Sequence, residues 1–174
     1  MDTSSRDPGK GYFSDEKFKA LTKMVEHYHS EAEKCASARA YYAACIMIGA
    51  AFEALLLQAL SMFSDEVAEA VRNLPRRPRG PIDHWNLDEL IKVAIVLGWR
   101  PPRRGPDPVE AGIGELADLL RRLRNVSHAA RHLREPDEAP LKVETYRAAY
   151  AIFDSARDWL SMKTNKGPRK KPSR

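Results

Sequence analysis

Cysteine is scarce in this sequence, which has only two cysteines among 174 residues. Cys35 and Cys45 lack the CxxC spacing of a zinc site and lie near or within apolar helical sequence, a setting typical of reduced thiols. The sequence therefore predicts no metal site, and nothing in it indicates a cofactor. Residues 1–11 hold no apolar run that could form a signal peptide, which predicts a cytoplasmic protein.

Most of the chain has no excess of positive charge, although the net charge is +5. Residues 163–174 contain six basic residues and no acid, which leaves 23 of the 29 basic residues against all 24 acids elsewhere. The tail is predicted to be disordered and solubilising, with weak attraction of RNA as the alternative. We expect a flexible N-terminus (1–13), one helical domain (14–163) and a basic disordered tail (164–174).

Strand patterns are also absent, and the apolar residues recur at helical spacing. The sequence predicts an all-α bundle of four to six helices, with Ser14, Ser64, Asn86 and Asp107 as N-caps of the first, third, fourth and fifth. Gly98 is predicted to stop the fourth helix. The six segments are about 15–34, 39–63, 64–73, 87–97, 108–128 and 142–162.

The second segment is the one long apolar run, and its length could span a bilayer. Glu53 would then lie near the middle of the membrane with Gln58 one turn further on, which is costly. A central helix of a soluble bundle explains the same residues, so we predict no membrane insertion. Glu53 is expected to pair with Arg121 or Arg124, because a buried carboxylate needs a partner.

Two proline-rich segments flank the fourth helix and are predicted to be loops. We interpret their arginines as solvent-exposed loop residues, and the alternative is that they form a site for a polyanion. These arginines are Arg76, Arg77, Arg79, Arg100, Arg103 and Arg104.

The fifth segment ends in a concentrated Arg/His segment, "RRLRNVSHAARH", at residues 121–132. At about 100° per residue, Arg121, Arg124 and His128 fall within an arc of about 60° beside the apolar stripe. Arg122 points away from the stripe, and Asn125 is intermediate. The positive charge of two guanidiniums favours the neutral form of a nearby histidine, which can then accept a proton. The arginines can donate hydrogen bonds to phosphate oxygens. Complementation of the helix dipole is the structural alternative.

The segment "ELADLLRRLRNVSHAARHLRE" resembles the signature helix of the HEPN superfamily, the higher eukaryotes and prokaryotes nucleotide-binding domains. In that family an arginine, often followed by a polar residue, precedes a histidine by a few positions. "YYAACIMIGAAFEALLLQAL" resembles the long central helix of the family with its internal glutamate. The resemblance implies a helical homodimer in which two Arg/His helices face each other across a cleft.

Active members of this family are metal-independent endoribonucleases of toxin–antitoxin, phage-defence and RNA-processing systems. The resemblance assigns His128, Arg124 and Asn125 to the family motif, with Arg121 or Arg122 at the longer spacing and Ala129 where related short forms have proline. His132, Arg122 and Glu53 would be supporting residues. The expected partners are a second copy of the chain, an RNA substrate, and an antitoxin or other protein. The alternative is a non-catalytic module that binds a nucleotide, RNA or a protein.

Overall fold

The computed structural model describes residues 13–99 and 143–165, and these form an all-α structure without strands. The five α-helices are α1 (Asp15–Ser37), α2 (Tyr41–Ser61), α3 (Ser64–Arg72), α4 (Leu87–Val96) and α5 (Val143–Asn165), with one 3-10 turn at Ile82–His84. The prediction of an all-α fold is confirmed. The predicted helix that starts near Asp107 lies outside the described residues, as do the two ends of the chain.

Helix α2 is the centre of this part of the fold. It packs most extensively against α1 and also contacts α3, α4, α5 and the 3-10 turn. Cys45, Ile48, Phe52, Leu56 and Leu60 on α2 are all at most 1% exposed. Burial of these side chains in one core supplies most of the driving force for packing, at about 25 cal/mol per Å² of apolar surface.

The polar groups of α2 are accommodated inside the bundle. Gln58 donates a hydrogen bond to Thr22 Oγ1 on α1 at 2.6 Å. Ser61 is 1% exposed and donates to the Gln58 carbonyl at 2.7 Å. By length and composition α2 could cross a membrane, but more than half of its most apolar stretch is buried within the protein, so its apolar character is weak evidence of membrane insertion.

The turn between α1 and α2 explains why α2 begins later than predicted. Arg39 has φ +59, and its N–H donates to Ala36 O while the Ala40 N–H donates to Cys35 O. These are the two bonds of a Schellman motif, with an arginine in the left-handed position that glycine usually occupies. Arg39 therefore ends α1 and cannot begin α2, which starts at Tyr41 instead of residue 39.

The start of α3 also differs from the sequence prediction. Ser64 is the first helical residue, and the N-cap is Phe63, whose carbonyl accepts from Val67 N at 2.9 Å. Phe63 is 2% exposed, so burial of its ring at the corner between α2 and α3 fixes the helix start one residue earlier. The prediction of Ser64 as N-cap was wrong.

The caps of α1 and α4 agree with the sequence. Ser14 caps α1, and Asn86 forms a reciprocal capping box with Glu89. At the other end of α4, Gly98 has φ +67, its N–H bonds to Ile95 O, and Trp99 N bonds to Ala94 O. This Schellman motif turns the chain so that Trp99 enters the core, where it is 0% exposed.

Candidate functional site

The Arg/His segment predicted to act on phosphate lies outside the described residues. This applies to Arg121, Arg122, Arg124, Asn125, His128 and His132, and to the loop arginines Arg100, Arg103 and Arg104. Of the predicted site residues, the structure describes Glu53, which is half-buried on α2. Its pairing with Arg121 or Arg124 stays a prediction, because both arginines are outside the described part.

The described residues bring together two groups of polar side chains. One is a histidine–tyrosine cluster between α1 and α5, and the other is a basic cavity between α4 and the loop that precedes it. Sequence reasoning had noted the arginines of the second and had not singled out the histidine of the first.

The histidine–tyrosine cluster is formed by His29 and Glu33 on α1 and Tyr150 on α5. His29 Nε2 lies 3.2 Å from Tyr150 Oη, and the same hydroxyl donates to Glu33 Oε1 at 3.2 Å. The His29 ring stacks on Phe153 with ring centroids 5.3 Å apart. Burial is the main cause that raises the pKa of Tyr150, and the hydrogen bond to Glu33 raises it further.

Neighbouring groups indicate that this cluster is structural. Burial raises the pKa of Tyr146 to about 12, with the nearby Tyr150 and Glu33 contributing. A phenol whose pKa is raised holds its proton at neutral pH, so it cannot serve as a base there. The hydroxyl, imidazole and carboxylate satisfy one another at the α1–α5 contact, which ties these helices together.

The basic cavity has a volume of about 530 Å³ and is open to solvent. Arg76, Arg77 and Arg79 come from the loop between α3 and α4, and Lys92 comes from α4. Two acids, Asp88 and Glu89, also line the cavity, as do the apolar side chains of Leu74 and Pro78. Ligand sites typically enclose roughly 300–1,000 Å³, so this volume suits a ligand.

Both acids of the cavity are already engaged. Lys92 Nζ pairs with Asp88 Oδ2 at 2.5 Å. Glu89 accepts a hydrogen bond from the Asn86 N–H at 2.9 Å as part of the capping box. Arg76 and Arg79 are exposed and form no ion pair among the described residues. The loop and its arginines were predicted from the sequence, but the sequence could not show that Lys92 lines the same cavity.

No metal site is found among residues 13–99 and 143–165, where no group of three or more His, Cys, Asp or Glu side chains could hold an ion. Cys45 is buried and Cys35 half-buried, and both are thiols.

The resemblance to the HEPN superfamily depends on the Arg/His segment and stays a prediction. Comparison of the chain with protein-family models, with curated proteins and with solved structures finds no match in any of the three.

Proposed function

We propose that this protein is an HEPN-like, metal-independent endoribonuclease that acts as a homodimer. The observation that carries the proposal is the spacing of Arg121, Arg124 and His128 in the sequence, which in a helix would put two guanidiniums and an imidazole on one face. The all-α fold and the half-buried Glu53 on the central helix are compatible with this proposal.

The proposed reaction uses the 2′-hydroxyl of RNA as the nucleophile. His128 removes the 2′-hydroxyl proton, the 2′-oxygen attacks phosphorus, and the bond from phosphorus to the 5′-oxygen breaks. Arg121 and Arg124 stabilise the negative charge that develops on the phosphoryl oxygens, and Asn125 positions the phosphate. His128 of the second subunit protonates the leaving 5′-oxygen, which leaves a 2′,3′-cyclic phosphate and a free 5′-hydroxyl.

The first test is cleavage of structured and unstructured RNAs by the purified protein in EDTA. We expect His128→Ala to lower the cleavage rate by about 100-fold or more, because a positioned acid–base group contributes roughly 10²–10⁴. The matched control is His27→Ala, which removes an exposed histidine on α1 and should leave the rate unchanged. End-group analysis of the products should reveal the cyclic phosphate.

Single substitutions of Arg121, Arg122 and Arg124 to alanine identify the catalytic arginine by the largest rate loss. If the wild-type protein does not cleave RNA, or if His128→Ala cleaves it equally well, the ribonuclease proposal is refuted. The alternative, a non-catalytic binding module, would then be favoured. Sedimentation equilibrium tests the homodimer, whose mass would be twice 19.7 kDa.

A further inference from the structure

The basic cavity between α4 and the loop before it has a surplus of positive charge that ion pairs among the described residues do not neutralise. Arg76, Arg77, Arg79 and Lys92 face only two carboxylates across its lining, and Lys92 is paired with Asp88. Arg77 donates to the Arg72 carbonyl at 3.3 Å, a bond that leaves its charge uncompensated. Three guanidiniums thus remain against the single carboxylate of Glu89, which the capping box already uses.

The loop that carries these arginines is held in place by local structure. Pro75, Pro78 and Pro81 each fix a φ angle, and Gly80 adopts φ +75, where an L side chain would be strained. Trp85 Nε1 donates to Gly80 O at 3.1 Å, and Ile82 is 4% exposed in the core. A loop anchored in this way loses little further conformational entropy when its side chains contact a ligand.

The shape and chemistry of the cavity favour a polymer with repeated phosphates over a single anion. Four cationic side chains, which come from the loop and from α4, line an open volume of about 530 Å³. Guanidinium groups pair with phosphate oxygens through a planar fork and can also stack on unpaired bases. Leu74 and Pro78 add apolar surface for a sugar or a base.

We propose that this cavity binds the phosphate backbone of single-stranded RNA at a surface separate in sequence from the Arg/His segment. The inference rests on the proposed function, since it extends the RNA contact of the same protein beyond the cleavage residues. Arg76 and Arg79 supply the main phosphate contacts, and Arg77 extends the positive surface.

The test is RNA binding by the whole 174-residue chain in the His128→Ala background, where cleavage does not interfere. Fluorescence anisotropy with a labelled single-stranded RNA is measured over a series of KCl concentrations. Each phosphate contact contributes about 0.7 to the slope of log K against log salt for single strands. The Arg76→Ala, Arg79→Ala double variant should therefore lose about 1.4 from this slope, and its affinity at about 0.1 M salt should fall by about tenfold or more.

Two control variants separate a binding surface from a change in net charge. Lys19→Ala, Lys23→Ala removes the same charge from exposed positions of α1 and should leave the slope unchanged. Arg76→Lys, Arg79→Lys keeps both charges and should retain most of the slope. Far-UV circular dichroism establishes that each variant is folded.

The possible results separate the two proposals. An unchanged slope in the Arg76→Ala, Arg79→Ala variant overturns the RNA surface, whether or not the wild-type protein cleaves RNA. A lowered slope in a protein that does not cleave RNA supports the surface and refutes the ribonuclease. Competition by polyglutamate as strong as that by unlabelled RNA of equal charge would show a general acidic-polymer surface and overturn RNA as the ligand.

Discussion

At the scale of single residues, burial decides which side chains can react. Cys45 is 0% exposed on α2, and this burial raises the pKa of its thiol from 9.0 to about 11. The thiolate is the nucleophilic form, so raising the pKa of the thiol suppresses its chemistry at neutral pH. The sequence predicted reduced thiols, but the difference between buried Cys45 and half-buried Cys35 depends on tertiary packing.

We expect Cys45 to resist alkylation in the folded protein. At pH 8 the raised pKa alone lowers the thiolate fraction by about 100-fold, and exclusion of the reagent slows the reaction further. The measurement is iodoacetamide labelling of Cys35→Ala, followed by mass spectrometry, in the folded protein and in guanidinium chloride. Equal labelling rates in these two conditions would contradict the prediction.

Raised pKa values also make the free energy of unfolding depend on pH in the alkaline range. The folded-state pKa values of Cys45 and Tyr146 lie above their ordinary values, at about 11 and about 12. Their protonated forms therefore stabilise the fold fully below pH 9, and this contribution declines as pH rises through about 9 to 12. The histidine–tyrosine cluster reinforces the effect, because the pKa of Tyr150 is raised as well.

At the scale of helices, cap residues determine where most elements begin and end. Ser14, Asn86 and Gly98 were identified from sequence because each satisfies a local requirement of the helix end. The prediction failed at Ser64, where the buried Phe63 ring overrides cap preference, and at Arg39, where a left-handed arginine takes a glycine position. The hydrogen bonding of a helix end can be predicted from the sequence, whereas tertiary constraints of this kind cannot.

Removal of the α4 cap should weaken the whole fold measurably. Asn86→Ala loses the side-chain bond to Glu89 N, 3.1 Å long, and should lower the free energy of unfolding by about 1 kcal/mol. Urea unfolding followed by circular dichroism measures the change. Asn86→Asp keeps the acceptor and should stay near wild type; a loss as large as that of alanine would mean that the cap bond is not the cause.

At the scale of the whole molecule, an aromatic cluster joins elements that are distant in sequence. Trp99 contacts Phe63 and Trp159 edge-to-face, with ring centroids 5.3 and 6.0 Å apart. Phe63 lies at the corner between α2 and α3, Trp99 follows α4, and Trp159 is on α5. Aromatic pairs of this kind add about 0.5–1.5 kcal/mol beyond the apolar area that they bury.

Trp99→Ala should therefore be among the most destabilising substitutions in the described part. Deletion of a buried tryptophan side chain costs about 3–5 kcal/mol, because the surrounding groups close the cavity only partly. Denaturant unfolding gives the value, with Ile95→Ala as the control at a residue that is 42% exposed. The control should change stability by about 0.5 kcal/mol or less. Similar losses in both variants would disprove a special role of Trp99.

The candidate sites were less predictable than the fold. The spacing of Arg121, Arg124 and His128 predicts one shared helical face, since that prediction depends only on helical periodicity. Periodicity cannot give the position of a second copy of these residues in a dimer. For the same reason the loop arginines could be identified from sequence, whereas the presence of Lys92 in the same cavity could not, because it depends on how the loop packs against α4.

The contact between Trp99 and Trp159 also relates the length of α5 to the separation of the two described parts of the chain. Trp99 is the last described residue before residues 100–142 and lies beside Trp159, whereas Val143, the first described residue after them, lies sixteen residues before Trp159 on α5. At 1.5 Å per residue these two anchor points are about 24 Å apart along the helix axis. Inserting one turn in α5 between them would add about 5.4 Å to the span that residues 100–142 must bridge. The length of α5 thus sets the distance between the two described ends that residues 100–142 connect in sequence.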